Sequence, residues 1–407
     1  MTHMRSIGRI FTLLLLLSAA ERGEGRELTV SPGTLGEVTA GLPAGDEDIT
    51  LRGSADARDM AALRSLAHTV SRLDLGELEI VERTLPATIF AGATCRELVW
   101  PSGVTTVPEG AFSNSALTTL TFPAGVREMG RYALSGCGAL CEVAGLDNLT
   151  VIGEGAFRGC SMLRRIPHLL SAERIGSEAF AGCSIESLWL PAVRALSPYA
   201  LAGMESVREV KLNPEADAGE GVLAGCSALK AVYGAPRRLP DLMLALSPEV
   251  EVFSLTRQTS TVGSFTFAGM HGLKGIDVSA LGSDIPDTSE DAFEGVDCPE
   301  VALHVEPGHA DAWRSHPVWG AFRITEEESG MEENVVARLL NVSGGKGWIR
   351  IEGDGRSRAL RVYDLAGREL YRGLLEEPIL LSTSGWSEGV VAVRAEGMAP
   401  VKILVAH

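Results

Sequence analysis

Ile175-Gly176-Ser177-Glu178-Ala179-Phe180-Ala181-Gly182-Cys183 is one copy of a motif that recurs through the centre of the chain. It returns at Ala133-Leu134-Ser135-Gly136-Cys137, Ala156-Phe157-Arg158-Gly159-Cys160, Ala200-Leu201-Ala202-Gly203, Val222-Leu223-Ala224-Gly225-Cys226, Thr266-Phe267-Ala268-Gly269 and Ala292-Phe293-Glu294-Gly295. Ala111-Phe112-Ser113-Asn114 is a variant, Ile89-Phe90-Ala91-Gly92 a weaker copy, and Leu244 marks a degenerate one. The large apolar residue falls at 90, 112, 134, 157, 180, 201, 223, 244, 267 and 293, in steps of 22, 22, 23, 23, 21, 22, 21, 23 and 26. A period in the low twenties is one short strand plus one return per coil, the signature of a leucine-rich solenoid.

Each unit has a physical reading. After the corner comes a run such as Leu117-Thr118-Thr119-Leu120-Thr121-Phe122-Pro123, whose L-x-x-L-x-L spacing ends in strand-like alternation. Leu117, Leu120 and Phe122 are expected inside the coil. Pro or Gly turns the chain, and a second apolar step follows, such as Val126 and Met129 or Val151 and Ile152. The corner Phe or Leu is expected to fill the interior and stack on its neighbours as a spine. The corner Gly permits a turn that a Cβ would obstruct.

The seven cysteines fit the same register. Cys137, Cys160, Cys183 and Cys226 share one repeat position with Met204, Met270 and Val296, which predicts an apolar pocket holding free thiols. Rungs about 4.8 Å apart leave disulfides between them open on distance alone. The odd number of cysteines means that they are not all paired within one chain.

The unit L-x-x-L-x-L-P…V-x-x-I-G-x-x-A-F-x-G-C resembles the leucine-rich repeat of the BspA type, found in bacterial surface proteins. The array covers 85–300. Residues 21–84 resemble the family's N-terminal cap, with a strand at Ile49-Thr50-Leu51, a helix over Asp56 to Leu66 with Asp56 as N-cap, and a strand near Leu73 to Leu75. Residues 301–325, with Val301 to Val305 and a helix through Ala312-Trp313, resemble the closing cap that shields the apolar end of such an array.

The ends read differently. Residues 1–20 have Arg5 and Arg9 before an apolar run from Ile10 to Leu17, then Ser18 and Ala20 at the small positions of a cleavage site: a secretory signal peptide. The apolar run is too short for a membrane anchor. The mature chain would hold no transmembrane segment. An acidic linker over 326–337 precedes alternating strands at Trp348–Ile351, Leu360–Leu365, Leu370-Tyr371, Val390–Val393 and Val401–Val405, which predict a β-sandwich over 338–407. Val362-Tyr363-Asp364-Leu365-Ala366-Gly367-Arg368 resembles the C-terminal sorting domain of type IX secretion cargo, with Val391 where that family usually has an aromatic residue. That resemblance implies engagement of the type IX machinery, delivery across the outer membrane and removal of the domain.

Composition and motif content narrow the function. The 407 residues are 45% hydrophobic and 22% charged, as in globular proteins. The net charge of −17, or −19 without residues 1–20, argues against broad binding to nucleic acid or anionic membranes. No G-x-S-x-G elbow, H-E-x-x-H or P-loop occurs, and Gly344-Gly345-Lys346-Gly347 lacks the required Ser or Thr. His304, His309 and His316 flank the closing cap without converging, and Asp284 to Asp297 reads as a solvated acidic loop. No catalytic, cofactor or metal site is expected.

One row of side chains stands out. The middle x of L-x-L is expected to face outward at Val99, Thr121, Ala144, Pro167, Trp189, Lys211, Tyr233, Ser254 and Asp277. Trp189 and Tyr233 bracket Lys211, with Arg164, Arg165 and Arg208 expected on the same strands. Aromatic and Arg residues in one patch have the composition of a protein-binding hot spot. The leading expectation is thus a non-enzymatic surface protein that binds extracellular or surface proteins, host matrix or other bacteria among them. A structural envelope protein and an enzyme scaffold are the alternatives.

Overall fold

The computed structural model describes residues 25–42, 48–166, 169–326, 341–345, 348–352, 358–364, 368–375, 379–383, 386, 389–395 and 401–405. Residues 1–20, the signal-peptide reading, and all of the acidic linker beyond Glu326 lie outside them. The chain divides into two compact units, 1–326 and 327–407.

The first unit is a β-solenoid of about 13 turns. One face is a series of short parallel strands: Arg26–Val30, Asp48–Ala55, Arg72–Ile80, Glu97–Val99, Thr119–Thr121 and Glu142–Ala144 in one sheet, then Ser187–Leu190, Glu209–Leu212 and Ala231–Tyr233, then Val252–Ser254, Gly275–Asp277, Ala302–His304 and Arg323–Thr325. The second apolar step forms its own parallel ladder of two-residue strands, from Thr106–Val107 to Asp217–Ala218 and again from Arg238–Leu239 to Asp287–Thr288. Where both ladders run, adjacent coils bond on two faces.

The spine lies where the register puts it. Every large corner residue from Phe90 to Phe293 is buried, and the Phe rings stack pairwise where they are adjacent: Phe90 on Phe112 at 5.5 Å, Phe157 on Phe180 at 5.1 Å, Phe267 on Phe293 at 4.9 Å. Burying each such side chain contributes on the order of 1.5–3 kcal/mol.

Two features of the corner go beyond the sequence reading. The position two residues after the spine has positive φ throughout, at Gly in most copies but also at Asn114 (55°) and Leu246 (60°). A second left-handed position lies two residues before the spine, at Thr88, Gly110, Tyr132, Gly155, Glu178, Tyr199, Gly221, Leu242 and Phe265. Few of these are Gly, so no residue type announces the position. The cysteines are also more than apolar filler. The thiols of Cys137, Cys160, Cys183 and Cys226 donate to the carbonyls of Phe112, Leu134, Phe157 and Leu201, the spine residues of the preceding coil, at 3.0–3.3 Å. Ser247 does the same to Leu223 at 3.1 Å. All seven cysteines are free thiols. Burial pushes the Cys137 thiol up to about 11 and that of Cys226 to about 12.

At the N-terminal end, a short 3-10 turn Ala57–Asp59 leads into the helix Met60–Ala67, and Asp56 caps it by accepting from the Arg58 amide. The unexpected element there is Asp59. Its buried carboxylate accepts from the amides of Gly33, Leu35 and Asp56, tying the first helix, Leu35–Thr39, to the second. At the other end, the helix Ala310–Arg314 and the turn Trp319–Ala321 bury Trp313 and Trp319. Trp319 stands edge-on to Phe293 at 5.0 Å and donates to the Thr288 hydroxyl, so the spine ends on an indole rather than in water.

Among its described residues the second unit contains two antiparallel sheets. One holds Asn341–Gly345, Trp348–Glu352 and Ile379–Ser382; the other holds Glu369–Leu375, Arg358–Asp364, Gly389–Ala395 and Val401–Val405. Asn341–Gly345 and Ile379–Ser382 were not expected. Ile349, Ile351, Leu360, Val362, Leu375, Leu381, Val391 and Val393 form its buried cluster.

Candidate functional site

The strand face places the outward row in register. Val99, Thr121 and Ala144 are partners on adjacent strands, as are Trp189, Lys211 and Tyr233, and again Ser254 and Asp277. All but Ser254 are half-buried rather than fully exposed, because neighbours one rung away cover much of each side chain. Pro167 lies outside the described residues.

Trp189, Lys211 and Tyr233 form the chemically distinctive part of this row. The Lys211 ammonium lies 5.5 Å from the centre of the Trp189 ring, a cation–π contact that fixes both groups. Burial and the nearby Glu209 carboxylate push the Tyr233 phenol up to about 12, so it stays a neutral hydrogen-bonding group across the physiological range. The result is two aromatic surfaces with a cation held between them, and it suits a protein surface offering carboxylates and apolar groups.

The three arginines need correction. Arg164 and Arg165 are exposed but belong to no strand, and the strand-face sheet is interrupted between Glu142–Ala144 and Ser187–Leu190. Arg208 precedes its strand, Glu209–Leu212, rather than lying in it. It belongs to a neighbouring column, Arg164, Glu186, Arg208 and Lys230, joined rung to rung by backbone hydrogen bonds. Arg208 and Lys230 line a shallow open pocket with Ser227, Ala228 and Glu249. Lys230 was missed, although the 22-residue step from 186 through 208 to 230 marks it in the sequence.

Among the described residues no group of three or more His, Cys, Asp and Glu could hold a metal ion, and no helix is long and apolar enough to cross a membrane. The His316 ring nitrogen accepts from the Val318 and Trp319 amides and so serves the closing cap.

Residues 83–234 match the BspA type leucine-rich repeat region in six copies. Among solved structures, the chain is similar to the pneumococcal vaccine antigen PcpA, at 13% identity over 75% of this chain and 84% of that one, with a TM-score of 0.34. It is similar to a leucine-rich repeat protein from Bacteroides ovatus at 15% identity, over 74% and 91% of the two chains, with a TM-score of 0.39. A leucine-rich cell surface protein from Faecalibacterium prausnitzii matches at 15% identity over 72% and 90%, with a TM-score of 0.31. No curated protein matches the chain.

Proposed function

We propose that this is an exported, non-enzymatic surface protein that adheres to other proteins through the strand face of its repeat array. The observation that carries the reading is the in-register trio Trp189, Lys211 and Tyr233, with Arg208 and Lys230 beside it. The BspA-type repeats over residues 83–234 support a protein-binding role. Partners are extracellular or surface proteins, host matrix proteins or those of other bacteria. Residues 1–20 serve as the export signal. The C-terminal unit, read as a β-sandwich that resembles type IX cargo domains, serves as the second signal, engages that machinery and is removed at the linker.

The test of binding is a pull-down with residues 21–325 against matrix and bacterial-surface fractions, repeated with Trp189→Ala. The expected result is a captured partner whose affinity falls by about 2 kcal/mol or more in the variant, with little change in melting temperature. Capture that survives Trp189→Ala unchanged sinks the proposed face. For delivery, deletion of 334–407 should leave a folded array in the periplasm, whereas normal surface delivery of that truncated chain refutes the sorting role.

A further inference from the structure

The ten corners of the array share the left-handed residue that follows the spine but differ in charge. The first five hold Glu109, Arg131, Glu154, Arg158 and Glu178 between them, and Arg131 pairs with Glu154 at 2.8 Å and Arg158 with Glu178 at 2.7 Å. The last five, 197–203, 219–225, 240–246, 263–269 and 289–295, contain no Lys, Arg or His. They carry Glu220, Asp241, Glu290, Asp291 and Glu294. Neutral donors satisfy three of these carboxylates: the Tyr199 hydroxyl bonds Glu220, the Ser264 amide bonds Asp241 and the Ser289 hydroxyl bonds Asp291. Among the described residues none of the five has an ion pair.

The same corners expose apolar side chains where the rest of the array has Gly or polar residues. Leu246 is 68% and Phe265 37% exposed, and Leu242 is half-buried on the coil next to Phe265. Leu246 lies over the next corner, its Cδ2 only 3.0 Å from where a Cβ on Gly269 would sit. All three have left-handed backbone, at φ 60°, 55° and 58° for Leu246, Phe265 and Leu242, a conformation that disfavours branched or bulky residues. Exposed apolar groups thus lie between unneutralised carboxylates.

We propose that this corner edge docks a protein partner through an extended cationic segment with apolar residues between its basic ones. Asp241 and Glu290 lie on corners two rungs apart, about 9.6 Å at the usual strand spacing, which about three residues of extended chain span. A segment with basic residues three apart can therefore meet both carboxylates while a Phe or Leu between them seats on Leu246 and Phe265. The strand face near Trp189 sets Arg208, Lys211 and Lys230 beside Glu186, Glu209 and Glu249, a mixed-sign surface, whereas this corner edge carries acidic groups alone.

The test is fluorescence anisotropy of the purified full-length chain with a labelled peptide of repeated Lys-Phe-Ser, against Lys-Ser-Ser and Ser-Phe-Ser repeats of equal length. The Lys-Phe-Ser peptide should bind at least tenfold more tightly than either control. Leu246→Gly with Phe265→Gly should weaken it at least tenfold. Gly suits the backbone at both positions, so a melting temperature that does not fall separates lost contact from lost fold. Glu290→Gln with Glu294→Gln should flatten the salt dependence, and Trp189→Ala should leave binding intact. Equal binding of Lys-Ser-Ser, indifference to the glycine pair, or dependence on Trp189 overturns the proposal. So does self-association of the chain that the glycine pair abolishes, which would make a second copy the occupant.

Discussion

Two corners of the array, Gly176–Cys183 and Pro240–Ser247, differ in almost every residue and fold alike. The first is a consensus copy; the second retains only the spine residue, Leu244. Yet φ is 53° and 72° at Glu178 and Gly182, and 58° and 60° at Leu242 and Leu246. The Cys183 thiol donates to the Phe157 carbonyl at 3.0 Å, and the Ser247 hydroxyl donates to that of Leu223 at 3.1 Å. What holds the second corner is the ladder to its neighbour: the amides of Leu242, Leu244 and Leu246 donate to Ser264, Thr266 and Ala268, each at 2.9 Å. Once adjacent coils set those bonds, the backbone is fixed and a poorly suited residue must comply. A residue pattern can therefore decay in one coil without loss of the turn.

That comparison can be broken most forcefully at the spine. Phe180→Ala should cost about 3–5 kcal/mol and Leu244→Ala about 2–5 kcal/mol, read from urea unfolding of each variant. If Leu244→Ala proves neutral, the two corners are not equivalent in packing.

The next effect is pH-dependent and separates thiol rungs from the Ser247 rung. Thiols raised to about 11 at Cys137 and about 12 at Cys226 hold their protons in the folded state while the unfolded chain, near the ordinary value of 9.0, releases them. Their stabilising contribution is whole below pH 9 and is lost as pH rises toward 11–12, at about 1.4 kcal/mol per unit of displacement. Denaturation midpoints should fall between pH 8 and pH 11, and Cys137→Ser with Cys226→Ser should lessen that fall. An identical decline in the variant would place its origin elsewhere. Because the same thiols are buried, iodoacetamide at pH 8 should label exposed Cys141 well before them.

The smallest effects test the backbone itself. A Cβ at Gly182 would meet nothing nearer than 3.8 Å, so Gly182→Ala isolates the conformational term and should cost about 1 kcal/mol. Leu246→Gly should do the reverse and stabilise by up to about 1 kcal/mol, visible as a higher melting temperature. A loss there would mean that Leu246 packs more than its exposure indicates.

The candidate face was legible to the same extent as the repeat. L-x-L alternation and a 22-residue step suffice to put Trp189, Lys211 and Tyr233 in one row, because strand faces alternate and coils stack in register. They do not say that Lys211 lies over the Trp189 ring, which depends on side-chain rotamers. The 22-residue spacing places Arg164 and Arg165 on a strand, whereas the structure gives neither of them one. Lys230 lies in the column three residues before the outward row, which L-x-L alternation does not mark.

By itself the sequence determined the period, the inward residues and the spine, since burial of apolar groups at a fixed spacing allows little else. The tertiary structure alone decided the second left-handed position, the donor role of the cysteines and the carboxylate of Asp59 that joins two helices. Each of these depends on a partner about one coil away in the chain. A backbone conformation or a hydrogen bond imposed by the adjacent coil leaves no mark on the residue that receives it, so Tyr132, Glu178 and Phe265 share a geometry that their side chains do not announce.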